Sequence, residues 1–63
     1  MNYLFVLLDD NIELDNMVIF IDDDTAKIAS IKNPDKRVEI FTKTKNGYKP
    51  SSCFYKNGVL IEA

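Results

Sequence analysis

The chain has no histidine and no tryptophan, and only one cysteine, two glycines and two prolines in 63 residues. Without histidine no side chain titrates near neutral pH in its ordinary state. Neither a Ser-His nor a Cys-His pair can be assembled for nucleophilic catalysis. One cysteine and no histidine exclude a structural zinc site. Both glycines follow an asparagine, in Asn46-Gly47 and Asn57-Gly58, which leaves no glycine-rich loop for a phosphate. Carboxylates are plentiful, but they cluster where turns are expected, and solvation there keeps two carboxyls alike instead of splitting them into acid and base. These absences predict a protein that is not an enzyme and holds no cofactor.

Long apolar runs are missing too. The longest, Tyr3–Leu8, spans six residues, far short of the roughly 18–20 needed to cross a bilayer. No basic residue precedes it and acids follow it, which is unlike a secretory signal. A secreted chain this small would carry paired cysteines, so Cys53 is expected as a half-buried strand residue and the protein as cytoplasmic. The oxygen-rich stretches Asp9-Asp10-Asn11 and Asp22-Asp23-Asp24 lack the spacing and the glycine of a calcium loop, and no metal is predicted.

Basic residues are absent from the first 24 positions, where Asp9, Asp10, Glu13, Asp15 and Asp22–Asp24 give a formal charge of −7. Residues 25–63 carry eight Lys/Arg against Asp35, Glu39 and Glu62, a balance of +5, and the two segments together give the net −2 of the chain. Seven lysines to one arginine, with abundant Ile, Asn and Asp, is the bias of an A/T-rich coding sequence, as in low-G+C bacteria and their phages.

What is present favours strands. Val, Ile, Thr, Phe and Tyr make up a third of the chain, against three Ala, three Glu and no Gln. Asn46-Gly47 and Asn57-Gly58 are two-residue hairpin signals, since Asn-Gly tolerates the positive φ angles of a type I′ turn. Asn33-Pro34-Asp35-Lys36 reads as a type I turn, and Asp22-Asp23-Asp24-Thr25 as a fourth. Cutting at these marks predicts six strands, near 2–8, 17–21, 26–32, 37–45, 48–55 and 58–62. The expected fold of the single 1–63 domain is all-β: an antiparallel meander of five or six short strands curled into an SH3-like or similar small barrel. Pro50 marks a bulge or an edge position. Residues 9–16 are expected as a loop or one helical turn.

Two of these strands, Tyr3–Leu8 and Met17–Ile21, are apolar at every position. Side chains alternate across a strand, so both faces carry large apolar groups, more than one small barrel can enclose. Exposed apolar patches usually mark interfaces. The predicted partner-binding set is therefore Phe5, Leu7, Val18, Phe20, Ile28 and Phe41, with Asp9, Asp10, Glu13 and Asp15 as an acidic rim. The expected function is a non-enzymatic protein-interaction module, of the kind a phage or mobile element would use to modulate a host protein. Two alternatives stand beside it. Lys43, Lys45, Tyr48, Lys49, Tyr55 and Lys56 interleave cations with aromatic platforms, as single-strand nucleic-acid binders do, although a pI near 4.8 and a single arginine weigh against that face. The apolar surplus also fits a structural homo-oligomer.

Overall fold

The computed structural model describes residues 2–9 and 13–62. Strand β1 (Tyr3–Leu8) is followed by a 3-10 turn at Leu14–Asn16, a short β2 (Val18–Phe20), helix α1 (Asp23–Lys32), and strands β3 (Arg37–Thr44), β4 (Gly47–Lys56) and β5 (Val59–Glu62). All five strands form one antiparallel sheet in the order β2-β1-β3-β4-β5. The protein is mostly β, as the residue preferences imply.

Two expectations are corrected. The strand expected at 26–32 is a helix. Asp22 takes an extended conformation and its Oδ2 accepts hydrogen bonds from the Thr25 backbone N–H and from Thr25 Oγ1, both at 2.9 Å, which is the geometry of an N-cap. Asp23 and Asp24 lie in the first turn and Lys32 in the last, each favourable to the helix dipole. Asn33 ends the helix by donating its backbone N–H and its Nδ2 to the Ala29 carbonyl, ahead of Pro34. The acids read as a turn are thus a helix start. Nor is the sheet closed into a barrel. With the third expected strand coiled into α1, β3 pairs with β1 instead of β2, and β2 and β5 are left as open edges.

The turn chemistry holds more closely. Asn57 (φ 52°) and Gly58 (φ 80°) both take positive φ between β4 and β5, as a type I′ turn requires. At 33–36 the Lys36 N–H donates to the Asn33 carbonyl at 2.9 Å. The other hairpin turns one residue earlier than Asn46-Gly47 implies: Thr44 pairs with Gly47, and Lys45-Asn46 form the turn. β4 bulges next to Pro50. Phe41 pairs with Pro50 and Ile40 with Cys53, so Ser51 and Ser52 are extra. Ser52 stands at φ 72°, and Ser51 Oγ donates to the Ile40 carbonyl at 2.6 Å while accepting from the Cys53 N–H.

Helix α1 lies on one face of the sheet. It buries its small residues Ala26, Ala29 and Ser30 and leaves Ile28 and Ile31 exposed. Ala26 packs with Phe5, Leu7, Val38, Ile40 and Tyr55 to form the core, flanked by Phe20 and Cys53. Ser30 is fully buried with its hydroxyl satisfied twice, donating to the Lys27 carbonyl at 2.6 Å and accepting from the Gly58 N–H at 2.9 Å. That bond ties the end of the helix to the β4–β5 turn.

Candidate protein-interaction surface

Cross-strand partners point to the same side of a sheet, so the register sorts every strand residue by face. Phe20–Phe5–Ile40–Cys53–Glu62 and Val18–Leu7–Val38–Tyr55–Leu60 run under the helix. The opposite face carries Ile19–Val6–Glu39–Phe54–Ile61 across all five strands, with Leu8–Arg37 on one side of that row and Leu4–Phe41 on the other. Among the described residues no helix or second sheet packs on this side. Ile19 is 57% exposed and Ile61 37%, while Leu4, Phe41 and Phe54 are half-buried. Val6 and Leu8 are buried yet stand apart from the helix-side cluster.

An ion pair interrupts this apolar face. Arg37 Nε lies 2.9 Å from Glu39 Oε1, and both side chains are partly shielded. A cleft of about 290 Å³ opens beside it, between Leu8, Arg37, Phe54, Lys56 and Ile61. Lys56 Nζ donates to the Lys36 carbonyl at its rim.

The helix side holds a larger cleft of about 810 Å³, where the sheet extends past the ten-residue helix. Phe5, Ile40 and Leu60 supply apolar walls, and Thr42, Ser51 and the free Cys53 thiol supply polar ones. Tyr55 closes one end. Its hydroxyl donates to Asp23 Oδ1 at 2.5 Å, its ring stacks on Phe5 with centroids 6.4 Å apart, and Lys27 Nζ lies 5.6 Å over the ring. The bond to the Asp23 carboxylate, with burial and the charges of Asp23 and Asp24 adding to it, pushes the Tyr55 hydroxyl from 10.0 up to about 12. These polar groups serve the fold: Ser51 holds the bulge and Tyr55 fastens the helix start to β4. Compared with known proteins, the chain matches no family model, no curated protein and no solved structure.

The structure scatters the residues singled out from the sequence. Phe5 and Leu7 are core, Phe20 packs against it, and Val18 lies on the helix side at the edge. Ile28 is exposed on the helix. Of the apolar set, Phe41 alone lies on the uncovered face. Glu13 and Asp15 are exposed, Asp9 is half-buried, and Asp10, like Ile12, falls outside the described residues. Leu14, in the 3-10 turn, is 83% exposed. The basic set does not share one face. Lys43, Tyr48 and Lys56 lie on the uncovered side, Lys49 and the buried Tyr55 on the other, and Lys45 sits in the turn. Leu4, Ile19, Phe54 and Ile61 are the surface residues that sequence reasoning missed. For Leu4 and Ile19 the signal was the other parity of the same apolar runs.

Among the described residues no three His, Cys, Asp or Glu side chains stand close enough to hold a metal, and no helix is long and apolar enough to cross a membrane.

Proposed function

We propose that the chain is a non-enzymatic protein-interaction module that meets its partner through the sheet face opposite the helix. The observation that carries this reading is the row Ile19–Val6–Glu39–Phe54–Ile61 with Leu4 and Phe41 beside it, an apolar surface spanning five strands with one helix layer, on the far side. Domains of this kind bury both faces of a sheet whose residues are apolar on both. The Arg37–Glu39 pair gives the patch a fixed polar contact that a partner must match, a device for specificity more than for affinity. Glu13 and Asp15 add exposed negative charge near one edge. The absence of histidine leaves Cys53 without a base to activate it, which favours binding over catalysis. The composition fits a phage or mobile-element protein acting on a host protein.

The nucleic-acid reading has less behind it, because its set is divided: Lys43, Tyr48 and Lys56 lie on the uncovered face, while Lys49 and the buried Tyr55 lie on the other. The test compares substitutions on the two sides of the sheet. Ile19→Lys and Phe41→Glu should abolish capture of the partner that the wild type retains, while Lys49→Glu on the other side leaves capture intact. Equal capture by all three variants would defeat the proposal.

A further inference from the structure

The two edges of the sheet are not alike. Edge strands are ordinarily protected by shortness, charge, proline or a bulge. β2 has three residues and acids beyond both ends, Glu13 and Asp15 before it and Asp22–Asp24 after it. β5 has four, Val59-Leu60-Ile61-Glu62, with no lysine, proline or bulge, and all four are exposed. Its apolar surface wraps around the edge. Val59 (61% exposed) and Ile61 look to the uncovered face, and Leu60 (48%) to the helix side. Ile31, 53% exposed, reaches the root of the strand, where a Cβ on Gly58 would stand 2.8 Å from its Cγ1.

We infer that two copies of the chain join through antiparallel β5–β5′ pairing with Leu60 opposite Leu60 of the second copy, forming one ten-stranded sheet. Symmetry and charge select this occupant. Under a two-fold axis normal to the sheet, faces match only when a residue opposes its own counterpart. Centring the pair on Leu60 sets Val59 against the partner's Ile61 on the uncovered side and Leu60 against Leu60 on the helix side, so every contact is apolar. It also sets Glu62 opposite the partner's Gly58 at both ends of the pairing, so that no two acids meet there. The alternatives bring like charges together. β2 against β2 sets Glu13 and Asp15 near Asp22–Asp24. β2 and β5 run in the same direction in the sheet, so pairing them side by side sets Glu62 near Asp22–Asp24, and reversing one sets it near Glu13 and Asp15. Like charges across a strand pair are destabilising. The contact is small beside a standard interface of about 800 Å² per partner, so the dimer is concentration-dependent. It leaves both uncovered faces on one side of the joined sheet, and it stands or falls independently of what those faces bind.

Sedimentation equilibrium from about 1 µM to about 1 mM, spanning the range of a weak interface, should show the mass rising from 7.2 kDa towards twice that value. Leu60→Lys and Leu60→Glu should each stay at 7.2 kDa, and an equimolar mixture of the two should recover the dimer, because only then do opposite charges meet at the two-fold axis. A wild type that stays monomeric throughout overturns the inference, as does a Leu60→Lys protein that dimerises like the wild type or a mixture that fails to recover. Should the charged variants not fold, as judged by far-UV circular dichroism, Leu60→Cys in a Cys53→Ser background decides. Opposed residues lie about 4.5–5.5 Å apart at Cα, within disulfide range, so mild oxidation should yield a covalent dimer, and failure to cross-link overturns the register.

Discussion

Replacing Tyr55 with Phe removes one oxygen and leaves the ring, and its consequences can be worked out from the contacts around it. The lost bond runs from the Tyr55 hydroxyl to Asp23 Oδ1 at 2.5 Å and joins β4 to the first turn of the helix across 32 residues of sequence. A hydrogen bond to a charged group is worth about 1.5–3 kcal/mol when shielded. Asp23 is exposed, so solvent screening lowers the expected loss to about 1 kcal/mol. For a domain of this size that corresponds to a fall in Tm of about 4–8 °C. The stacking on Phe5 and the contact with Lys27 survive, so nothing larger is expected. The pH dependence is the sharper part. The folded protein holds the Tyr55 proton up to about 12, against 10.0 for the free group. Between those values the unfolded chain releases a proton that the folded chain keeps, so the contribution is complete below pH 10 and falls as pH rises towards 12. Tyr55→Phe has no such dependence. Urea unfolding followed by circular dichroism at pH 7 and at steps from pH 10 to 12 should show the gap between the two proteins closing. A variant as stable as the wild type at pH 7, or a gap that persists at pH 12, would show that the Tyr55–Asp23 bond does not fasten the helix to β4.

Two further predictions test the other ties of the helix. Ser30→Ala strands the Gly58 N–H, which has Ser30 Oγ as its acceptor at 2.9 Å, and should cost about 1–3 kcal/mol in urea unfolding; an unchanged midpoint would show that the helix end is not tied to the turn in this way. Asp22 is held below the ordinary carboxylate value of 3.8, first by the Thr25 N–H and then by the Thr25 hydroxyl. Its contribution is therefore present above pH 3.8 and lost as pH falls through the lower folded value, so Asp22→Ala should lower Tm at pH 7 and leave the two proteins alike in strong acid.

How far the sequence could be read depended on whether a residue pattern had one structural meaning. Asn57-Gly58 had one, because two consecutive positive φ angles exclude most other pairs, and the turn formed there. Asp22-Asp23-Asp24-Thr25 had two: the side-chain acceptor that favours a turn also caps a helix, and the Thr25 N–H and hydroxyl decide for the helix. Apolar periodicity could not arbitrate, since α1 buries Ala26, Ala29 and Ser30 and exposes Ile28 and Ile31, so its large apolar residues do not mark its buried face. Losing that strand also lost the barrel. The surplus of apolar faces was legible in Tyr3–Leu8, but a strand apolar at every position does not say which parity meets the helix. Phe5 and Leu7, expected at the surface, are core; Leu4, Val6 and Leu8 take the other side. The interleaved lysines and aromatics of 43–56 divide by ordinary alternation, which the two extra residues Ser51 and Ser52 leave in phase, so Tyr48, Phe54 and Lys56 fall on one face and Lys49 and Tyr55 on the other.

Backbone amide shifts on titration with the captured partner decide whether the face opposite the helix is the binding surface. The largest changes should fall at Leu4, Val6, Ile19, Glu39, Phe41, Phe54 and Ile61, with the exposed helix positions Asp24, Ile28 and Lys32 unmoved. Changes centred on the outer surface of α1, or around Thr42, Lys49 and Cys53 on the helix side, would contradict that assignment.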